Sequence, residues 1–153
     1  MRRQRGFTLI ELITVIAIVA VLSAMALPLA HFASRRQKEE LLKQRLNKIT
    51  WAIDQYYDMR IKGQLKSQVE IEQGPYPKNL QELTEQIEKM DGTKTRLLRE
   101  SDIIDPMTGK NDWQLLSSSD DFDSPSWHGE NVYDLHSSST ALALDGRTHY
   151  NEW

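Results

Sequence analysis

A long uncharged segment near the N terminus, headed by a single acidic residue, constrains this chain more than any other feature. From Leu12 to Leu27 the sequence holds no charged residue. With residues 7–10 included, the segment reaches the ~20 residues that an α-helix needs to cross a hydrocarbon layer of about 30 Å. Glu11 lies at the start of this segment. Because a charged side chain inside a membrane helix costs roughly 2.5–3.5 kcal/mol on insertion scales, we expect Glu11 to be paired or functional.

A secretory signal peptide is the competing interpretation. Arg2, Arg3 and Arg5 form a basic leader, and residues 24–26 resemble a signal-peptidase site. Glu11 would then interrupt the apolar core of the signal. The helical pattern also continues past residue 26 instead of giving way to a flexible mature N terminus. We therefore favour a permanent membrane anchor.

The sequence GFTLIE at residues 6–11, followed by an apolar run that ends in ALP at residues 26–28, resembles the N terminus of the type IV pilin superfamily. This resemblance implies that a prepilin peptidase cleaves after Gly6 and methylates the new N terminus, Phe7. Glu11 would become the fifth mature residue. Its carboxylate could neutralise the terminal ammonium of a neighbouring subunit, which offsets part of the insertion cost and sets the axial register. A monomer in the bilayer has no such partner, so Glu11 should favour assembly; the alternative is a tolerated interfacial charge.

The helical pattern continues beyond the anchor. Pro28 removes one backbone hydrogen bond and predicts a kink, because a membrane setting tolerates proline within a helix. The residues that follow place apolar side chains three or four positions apart, with polar residues on the opposite face. This amphipathic helix should end near residues 60–63 and be covered by the C-terminal part of the chain. A coiled coil is the alternative, although the pattern spans only about two heptads. The apolar stripe comprises Leu42, Leu46, Ile49, Ile53, Tyr56 and Tyr57.

These patterns divide the chain into four segments. Residues 1–6 form a leader, residues 7–29 the transmembrane half of the long helix, residues 30–62 its amphipathic half, and residues 63–153 a globular domain. The predicted fold class is α+β, with the long N-terminal helix packed on a small antiparallel sheet of three to four strands. The resemblance implies that this fold is pilin-like.

The globular domain should combine one short helix with several strands. Asn79 followed by Glu82 matches a helix-capping box, and the apolar spacing after it predicts a helix that ends around residues 90–92. Asp145-Gly146 predicts a hairpin turn near the end of the chain. Strands are predicted at residues 113–116, 132–136, 141–144 and 148–150.

Composition and motif content narrow the function classes. A formal net charge of −3, with no basic patch interleaved with aromatic residues, argues against a nucleic-acid partner. The four histidines show no metal-ligand spacing, and no nucleophile or phosphate-loop motif occurs, so we expect neither a catalytic residue nor an enzymatic activity. The chain has no cysteine, which excludes a disulfide framework.

A second resemblance covers the C-terminal part. The order YPKNLQEL, DPMTG, a strand beginning with Trp113, VYDLHS and a final ALDG is similar to the globular domain of the major, G-type pseudopilins of type II secretion. Because those proteins commonly bind calcium in the last loop, the resemblance implies Ser137, Ser139 and Asp145 as calcium candidates. These three supply a single carboxylate, whereas calcium takes roughly six to eight oxygens. Residues 120–123 form a second acidic cluster, and Asp134 is a third possible donor. The alternative is that these are ordinary solvent-exposed acidic residues.

The two resemblances imply a structural role. We expect a subunit of a periplasmic pseudopilus that assembles from the bacterial inner membrane and drives protein export through the type II secretion system. Its expected partners are copies of itself, minor pseudopilins, the prepilin peptidase, an inner-membrane assembly platform with its ATPase, and the lipid bilayer. The chain would cross the inner membrane once and place its C-terminal domain in the periplasm. The alternatives are a type IV pilus or competence pilin, and a membrane-anchored periplasmic binding module or adhesin.

Overall fold

The computed structural model describes residues 6–66, 74–121, 124 and 127–153. Two compact units divide the chain between Gln37 and Lys38. Among the described residues, all strands lie in the second unit. The chain is α+β, with one long N-terminal helix and small antiparallel sheets, so the predicted fold class is confirmed.

Helix α1 runs over Leu9–Ile61 and includes Pro28. Its 53 residues contain no glycine and only this one proline, so almost every position favours or tolerates the helical backbone. Proline costs a helix one backbone hydrogen bond, and the Leu and Ala residues on either side of it favour the helix, which continues through Pro28. The kink predicted at Pro28 stays a prediction.

The C-terminal end of α1 is a Schellman motif built on Gly63. This glycine has a φ of 63°, a left-handed conformation that it adopts without the penalty of a Cβ atom. Its N–H donates to the Arg60 carbonyl over 3.0 Å, and the Gln64 N–H donates to the Met59 carbonyl over 2.9 Å. These two bonds satisfy carbonyls that would otherwise have no helical donor. The predicted end of the helix near residues 60–63 is confirmed.

In the second unit, α1 buries the predicted apolar stripe. Leu42, Ile49 and Ile53 are at most 1% exposed, and Tyr56 is 4% exposed. Leu46 packs partly against the same core. The cover comes from the C-terminal part of the chain, as predicted. Buried residues from that part include Leu80, Leu83, Leu98, Ile103, Trp113, Val132, Leu135 and Tyr150.

The helix predicted after Asn79 has the right start and the wrong length. The Asn79 side chain accepts a hydrogen bond from the Glu82 N–H over 3.0 Å, so the predicted cap is present. The helix is a single 3₁₀ turn, Leu80–Leu83, and does not extend to residues 90–92. It stops because the Leu83 carbonyl accepts from the Leu98 N–H over 2.9 Å, whereas a continuing α-helix would offer that carbonyl to residue 87.

Four strands form among the described residues, in two antiparallel pairs. Strand β1 (Ile87–Glu88) pairs with β2 (Lys94–Thr95), and β3 (Gln114–Leu116) pairs with β4 (Asp134–His136). The strands predicted at residues 113–116 and 132–136 are confirmed in part. Strand β1 occupies residues predicted to be helical, and β2 lies just beyond the predicted end of that helix. The expected single sheet is therefore two small sheets.

The last predicted strand pair is reduced to one bridge, in which Leu142 lies opposite His149. The predicted turn is present, since Gly146 has a φ of 69° and its N–H donates to the carbonyl of residue 143 over 3.1 Å. The two arms do not continue as strands, so that prediction is wrong. After the bridge the chain enters a 3₁₀ helix, Tyr150–Glu152, whose first side chain is buried in the core.

A buried ion cluster connects α1 to the segment that follows β2. Asp102 is only 5% exposed and is paired with Arg45 and with Lys48, whose Nζ lies 2.5 Å from the carboxylate. Burial alone would raise the pKa of Asp102, but the hydrogen bonds from Lys48 and from the Arg99 N–H outweigh burial and lower it. The cluster therefore contributes most when Asp102 is ionised.

Glu39 makes a second connection between α1 and the C-terminal part. Its Oε1 accepts from the Leu144 N–H over 2.6 Å and from the Tyr150 hydroxyl over 2.8 Å. Hydrogen bonds to a charged acceptor are shorter and stronger than neutral ones. Glu39 thereby satisfies a backbone donor in the last loop and the polar end of a buried aromatic ring.

Candidate functional site

The start of α1 is closed by two reciprocal hydrogen bonds between Thr8 and Glu11. The Thr8 hydroxyl accepts from the Glu11 N–H over 3.3 Å. In return, Glu11 Oε2 accepts from the Thr8 N–H over 3.5 Å. This is a capping box, with Thr8 at the N-cap and Glu11 at the third helical position. The carboxylate also lies at the helix N terminus, where the aligned peptide dipoles stabilise an anion.

The capping box adds a partner for Glu11 that we did not predict from the sequence. We expected a single chain to lack the ammonium partner that a neighbouring copy supplies, and that expectation stays a prediction. Within the chain, the carboxylate of Glu11 contacts the Thr8 N–H, a backbone donor three residues before it. The contact is weak, because N–H···O bonds in proteins usually measure about 2.7–3.2 Å. A cation close to Glu11 would be a stronger partner.

The predicted cleavage site, between Gly6 and Phe7, lies in an irregular segment just before the helix. Phe7 is 87% exposed. A Cβ atom added to Gly6 would meet no atom of the described residues within 4 Å, so the described fold does not require glycine there. A requirement for glycine would have to come from a partner such as a peptidase. Cleavage and N-methylation stay predictions, and the leader residues 1–5 lie outside the described part of the chain.

The first part of α1 is apolar on all sides. Its best window of 18 residues has a mean hydropathy of 2.6 and no buried residue. Leu12, Ile13 and Val15, which lie on different faces of the helix, are all more than half exposed. In water this surface would be unfavourable by roughly 25 cal/mol for each Å². By length and composition the helix can cross a membrane, which is consistent with membrane anchoring.

Among the calcium candidates, Asp145 is the only carboxylate, and its oxygens stabilise a turn. Oδ1 accepts from the Arg147 N–H over 2.9 Å and from the Thr148 N–H over 3.1 Å. Oδ2 accepts from the Thr148 hydroxyl over 2.7 Å. The backbone N–H groups of Arg147 and Thr148 lower the pKa of Asp145 to about 2. Three of the roughly four acceptor positions of this carboxylate are therefore occupied.

The two serine candidates also make internal hydrogen bonds. The Ser137 hydroxyl donates to Asp105 Oδ2 over 2.6 Å inside the core, and the Ser139 hydroxyl accepts from the Ala141 N–H over 3.5 Å. No three His, Cys, Asp or Glu side chains in the described part of the chain lie together as a metal site. In this conformation the donor set does not fit calcium, and calcium binding here stays a prediction.

The acidic positions 120–123 and Asp134 serve local structure where the chain is described. Asp120 accepts from the Ser117 N–H over 2.7 Å and pairs with the His128 ring. Residues 122 and 123 lie outside the described part. Asp134 Oδ1 accepts from the N–H of the next residue, Leu135, over 2.9 Å. Asp120 thus holds together the two ends of a loop that follows β3.

Comparison with known proteins identifies the N-terminal segment. A family model, the prokaryotic N-terminal methylation motif, matches residues 1–27. The match includes Gly6, Phe7 and Glu11 and ends before Pro28, so it concerns the leader and the apolar helix and not the globular part. No curated protein and no solved structure matches the chain. The match supports a type IV pilin-like prepilin signal, which implies processing by a prepilin peptidase and assembly into a filament.

Proposed function

We propose that this chain is a structural subunit of a periplasmic pseudopilus, which assembles from the bacterial inner membrane and drives protein export through the type II secretion system. One observation carries the proposal. From Leu9 onward, the segment that matches the N-terminal methylation motif is a helix whose most apolar window has no buried residue, and the first turn of this helix carries a capped carboxylate. A helix of this kind needs either lipid or other helices around it.

The capping box supplies a mechanism for the transition from membrane to filament. In the bilayer, Glu11 stays bonded to its own Thr8 N–H. After cleavage, Phe7 carries a terminal ammonium, and in a filament the ammonium of a neighbouring copy replaces the weak backbone donor. The exchange favours assembly because a charge pair in a low-dielectric bundle is stronger than a long neutral-donor contact. Apolar helix contacts take over the role of lipid.

The resemblance of the globular part to the major pseudopilins supports secretion over other filament systems. The order of its motifs follows that domain, and the cysteine pair that closes the last loop of many major pilins is missing from the sequence. We further propose that minor pseudopilins, an assembly platform and its ATPase are the partners, with the globular domain in the periplasm. A type IV pilus or competence pilin remains the second candidate, because it would carry the same N-terminal motif.

Mass spectrometry of the mature N terminus is the first test. We expect cleavage after Gly6 and one added methyl group on Phe7. The matched control is the same chain from a strain without prepilin peptidase, in which residues 1–6 should stay attached. A mature chain that begins near Leu27 would show a cleaved signal peptide and contradict the proposal.

A deletion of the gene separates the filament systems. We expect folded proteins to accumulate in the periplasm while twitching motility and DNA uptake continue. Loss of motility or of DNA uptake with normal export would favour the pilus or competence alternative. Normal export, motility and DNA uptake, together with a chain that never polymerises, would favour a membrane-anchored binding module.

A further inference from the structure

The β1–β2 hairpin presents an exposed methionine on a rigid turn. Met90 is 68% exposed at the tip. Gly92, with a φ of 80°, donates its N–H to the Lys89 carbonyl over 2.9 Å. The Asp91 carboxylate accepts from the Thr93 N–H over 2.9 Å and from the Thr93 hydroxyl over 2.6 Å. Because these bonds fix the turn in the free chain, binding of a partner to the tip costs little conformational entropy.

The hairpin tip is basic and is attached to the chain just beyond α1. Lys89, Lys94 and Arg96 flank the exposed methionine. The Met90 N–H donates to the Gln64 carbonyl over 2.8 Å, which fixes the tip beside the segment that follows the helix. The tip therefore combines one apolar side chain with a net positive charge on a fixed support, since Asp91 offsets only one of the three cations.

The described surface of α1 carries a second unusual feature, an exposed tryptophan. Trp51 is 54% exposed in the middle of a helical segment that buries Ile49 and Ile53. At about 100° for each residue, Trp51 points away from those two side chains and from the core. Trp side chains are seldom this exposed, and Trp is enriched among the hot-spot residues of protein interfaces.

The exposed side of α1 around Trp51 carries two carboxylates. Asp54 and Asp58 lie three and seven residues further along the same exposed side of α1. Lys48, one turn before Trp51, is bonded to a buried carboxylate of the globular part. Asp58 forms a salt bridge of 2.8 Å with Lys62, which offsets its charge. Among the described residues, Asp54 takes part in no salt bridge, so it is the residue of this surface whose charge complements the lysines of the hairpin tip.

We propose that the hairpin tip of one copy docks on the Trp51 surface of a second copy, with Met90 against the indole and Lys94 facing Asp54. The proposal rests on the filament function above. A thioether against an aromatic ring is a favourable contact, and the charges around it set the orientation. Because the two surfaces differ, the contact is heterologous and can repeat without closing.

The position of the two surfaces along α1 agrees with an open-ended assembly. The tip is fixed at Gln64, beyond the end of the helix, whereas Trp51 lies ten residues before Ile61. At 1.5 Å for each residue, this separation is about 15 Å or more along the axis. Contact between tip and tryptophan therefore staggers the two copies along the helix axis, as a growing filament requires.

Disulfide trapping tests the contact directly, because the natural chain has no cysteine. Full-length chains carrying Trp51→Cys and Met90→Cys are produced together, with different tags, in cells with an active assembly system. We expect mild oxidation to link the two different variants and to leave each variant alone unlinked. Lys110→Cys, at another exposed position, is the matched control and should not link to Trp51→Cys. Linkage requires Cβ atoms about 4 Å apart, so chance collisions contribute little.

Charge reversal provides an independent measurement on chains that keep Trp51 and Met90. Lys94→Glu or Asp54→Lys alone should lower filament yield about tenfold, and the double variant should restore it. The contact is overturned, and the filament function left intact, if the wild-type chain forms filaments while the two cysteine variants do not link and both charge variants give a normal filament yield. If the wild-type chain forms no filament while export is active, the proposed filament function is wrong, and the contact that rests on it is wrong as well. Disulfides from Met90→Cys to a different protein, or binding of the tip to anionic vesicles, would assign it to another partner and also overturn the proposal.

Discussion

Replacing Glu11 by glutamine separates the two roles that the structure gives this side chain. Glutamine keeps an oxygen that can accept the Thr8 N–H, so it can replace glutamate in the capping box. It removes the charge, which is the part of Glu11 that would pair with the ammonium of a neighbouring copy. We therefore expect Glu11→Gln to insert and fold as a monomer and to fail in assembly.

The expected magnitudes differ enough to decide between the roles. Because the bond from the Thr8 N–H is already 3.5 Å long, its weakening should cost the helix start less than about 1 kcal/mol. Removal of the charge should make insertion easier, by at most roughly 2.5–3.5 kcal/mol. In a filament, the ammonium left without its counter-charge would cost about 3–5 kcal/mol. This corresponds to about two to four powers of ten in the association constant.

The assay compares filament yield and exported protein for Glu11→Gln and for a matched control, Thr8→Ala. The control breaks the capping box by removing the hydroxyl that accepts from the Glu11 N–H, and it leaves the carboxylate in place. It should lose only about 0.5–2 kcal/mol at the helix start and assemble nearly normally. Normal assembly by Glu11→Gln would refute the charge-pairing argument. Equal failure of both variants would show that the helix cap, and not the charge, limits assembly.

Two further predictions concern the globular part. Asp102→Asn should lower the free energy of unfolding by about 1.5–3 kcal/mol, because Arg45 and Lys48 lose a charged acceptor, and chemical denaturation of the full chain in detergent measures this. Since the pKa of Asp102 is below 3.8, its contribution should be complete above pH 3.8 and be lost as the pH falls through the lower folded value. The hydrogen bond that the protonated His128 ring donates to Asp120 raises the pKa of His128 above 6.5, so the loop pairing should be complete below pH 6.5 and be lost as the pH rises through the folded pKa. An NMR titration should place the His128 midpoint above 6.5, and Asp120→Asn should return it towards 6.5; an unchanged midpoint would contradict the pairing.

The elements that the sequence predicted correctly depend on local or periodic signals. The apolar stripe of α1 repeats over several turns, and the left-handed turn at its end needs a residue such as Gly63. The Asn79 cap and the turn at Gly146 are likewise set by single residues with strong local preferences. Such signals do not depend on where the rest of the chain lies.

The errors arose where a distant backbone group decided the outcome. The helix after Asn79 stops because the N–H of Leu98 takes the carbonyl of Leu83, and no pattern within residues 79–92 contains that bond. The two cationic partners of Asp102, which we did not predict, lie more than fifty residues away along the chain. The capping box of Thr8 and Glu11 is a different case, because it is local and the Thr-x-x-Glu spacing is present in the sequence. We did not predict it, since we considered only the charge of Glu11.

Folding and assembly explain different residues of this chain. Asp102 and Tyr150 are buried with partners from distant elements, so the fold itself accounts for their identity. Among the described residues, Gly6 has no neighbour that would exclude a side chain, and Trp51 and Met90 expose apolar surface that gains nothing from folding. Positions that folding does not require are the ones where contacts with other molecules are best sought. In the function and contact proposed above, a prepilin peptidase requires Gly6 and a second copy of the chain contacts Trp51 and Met90, so those three positions are the sharpest places to test assembly.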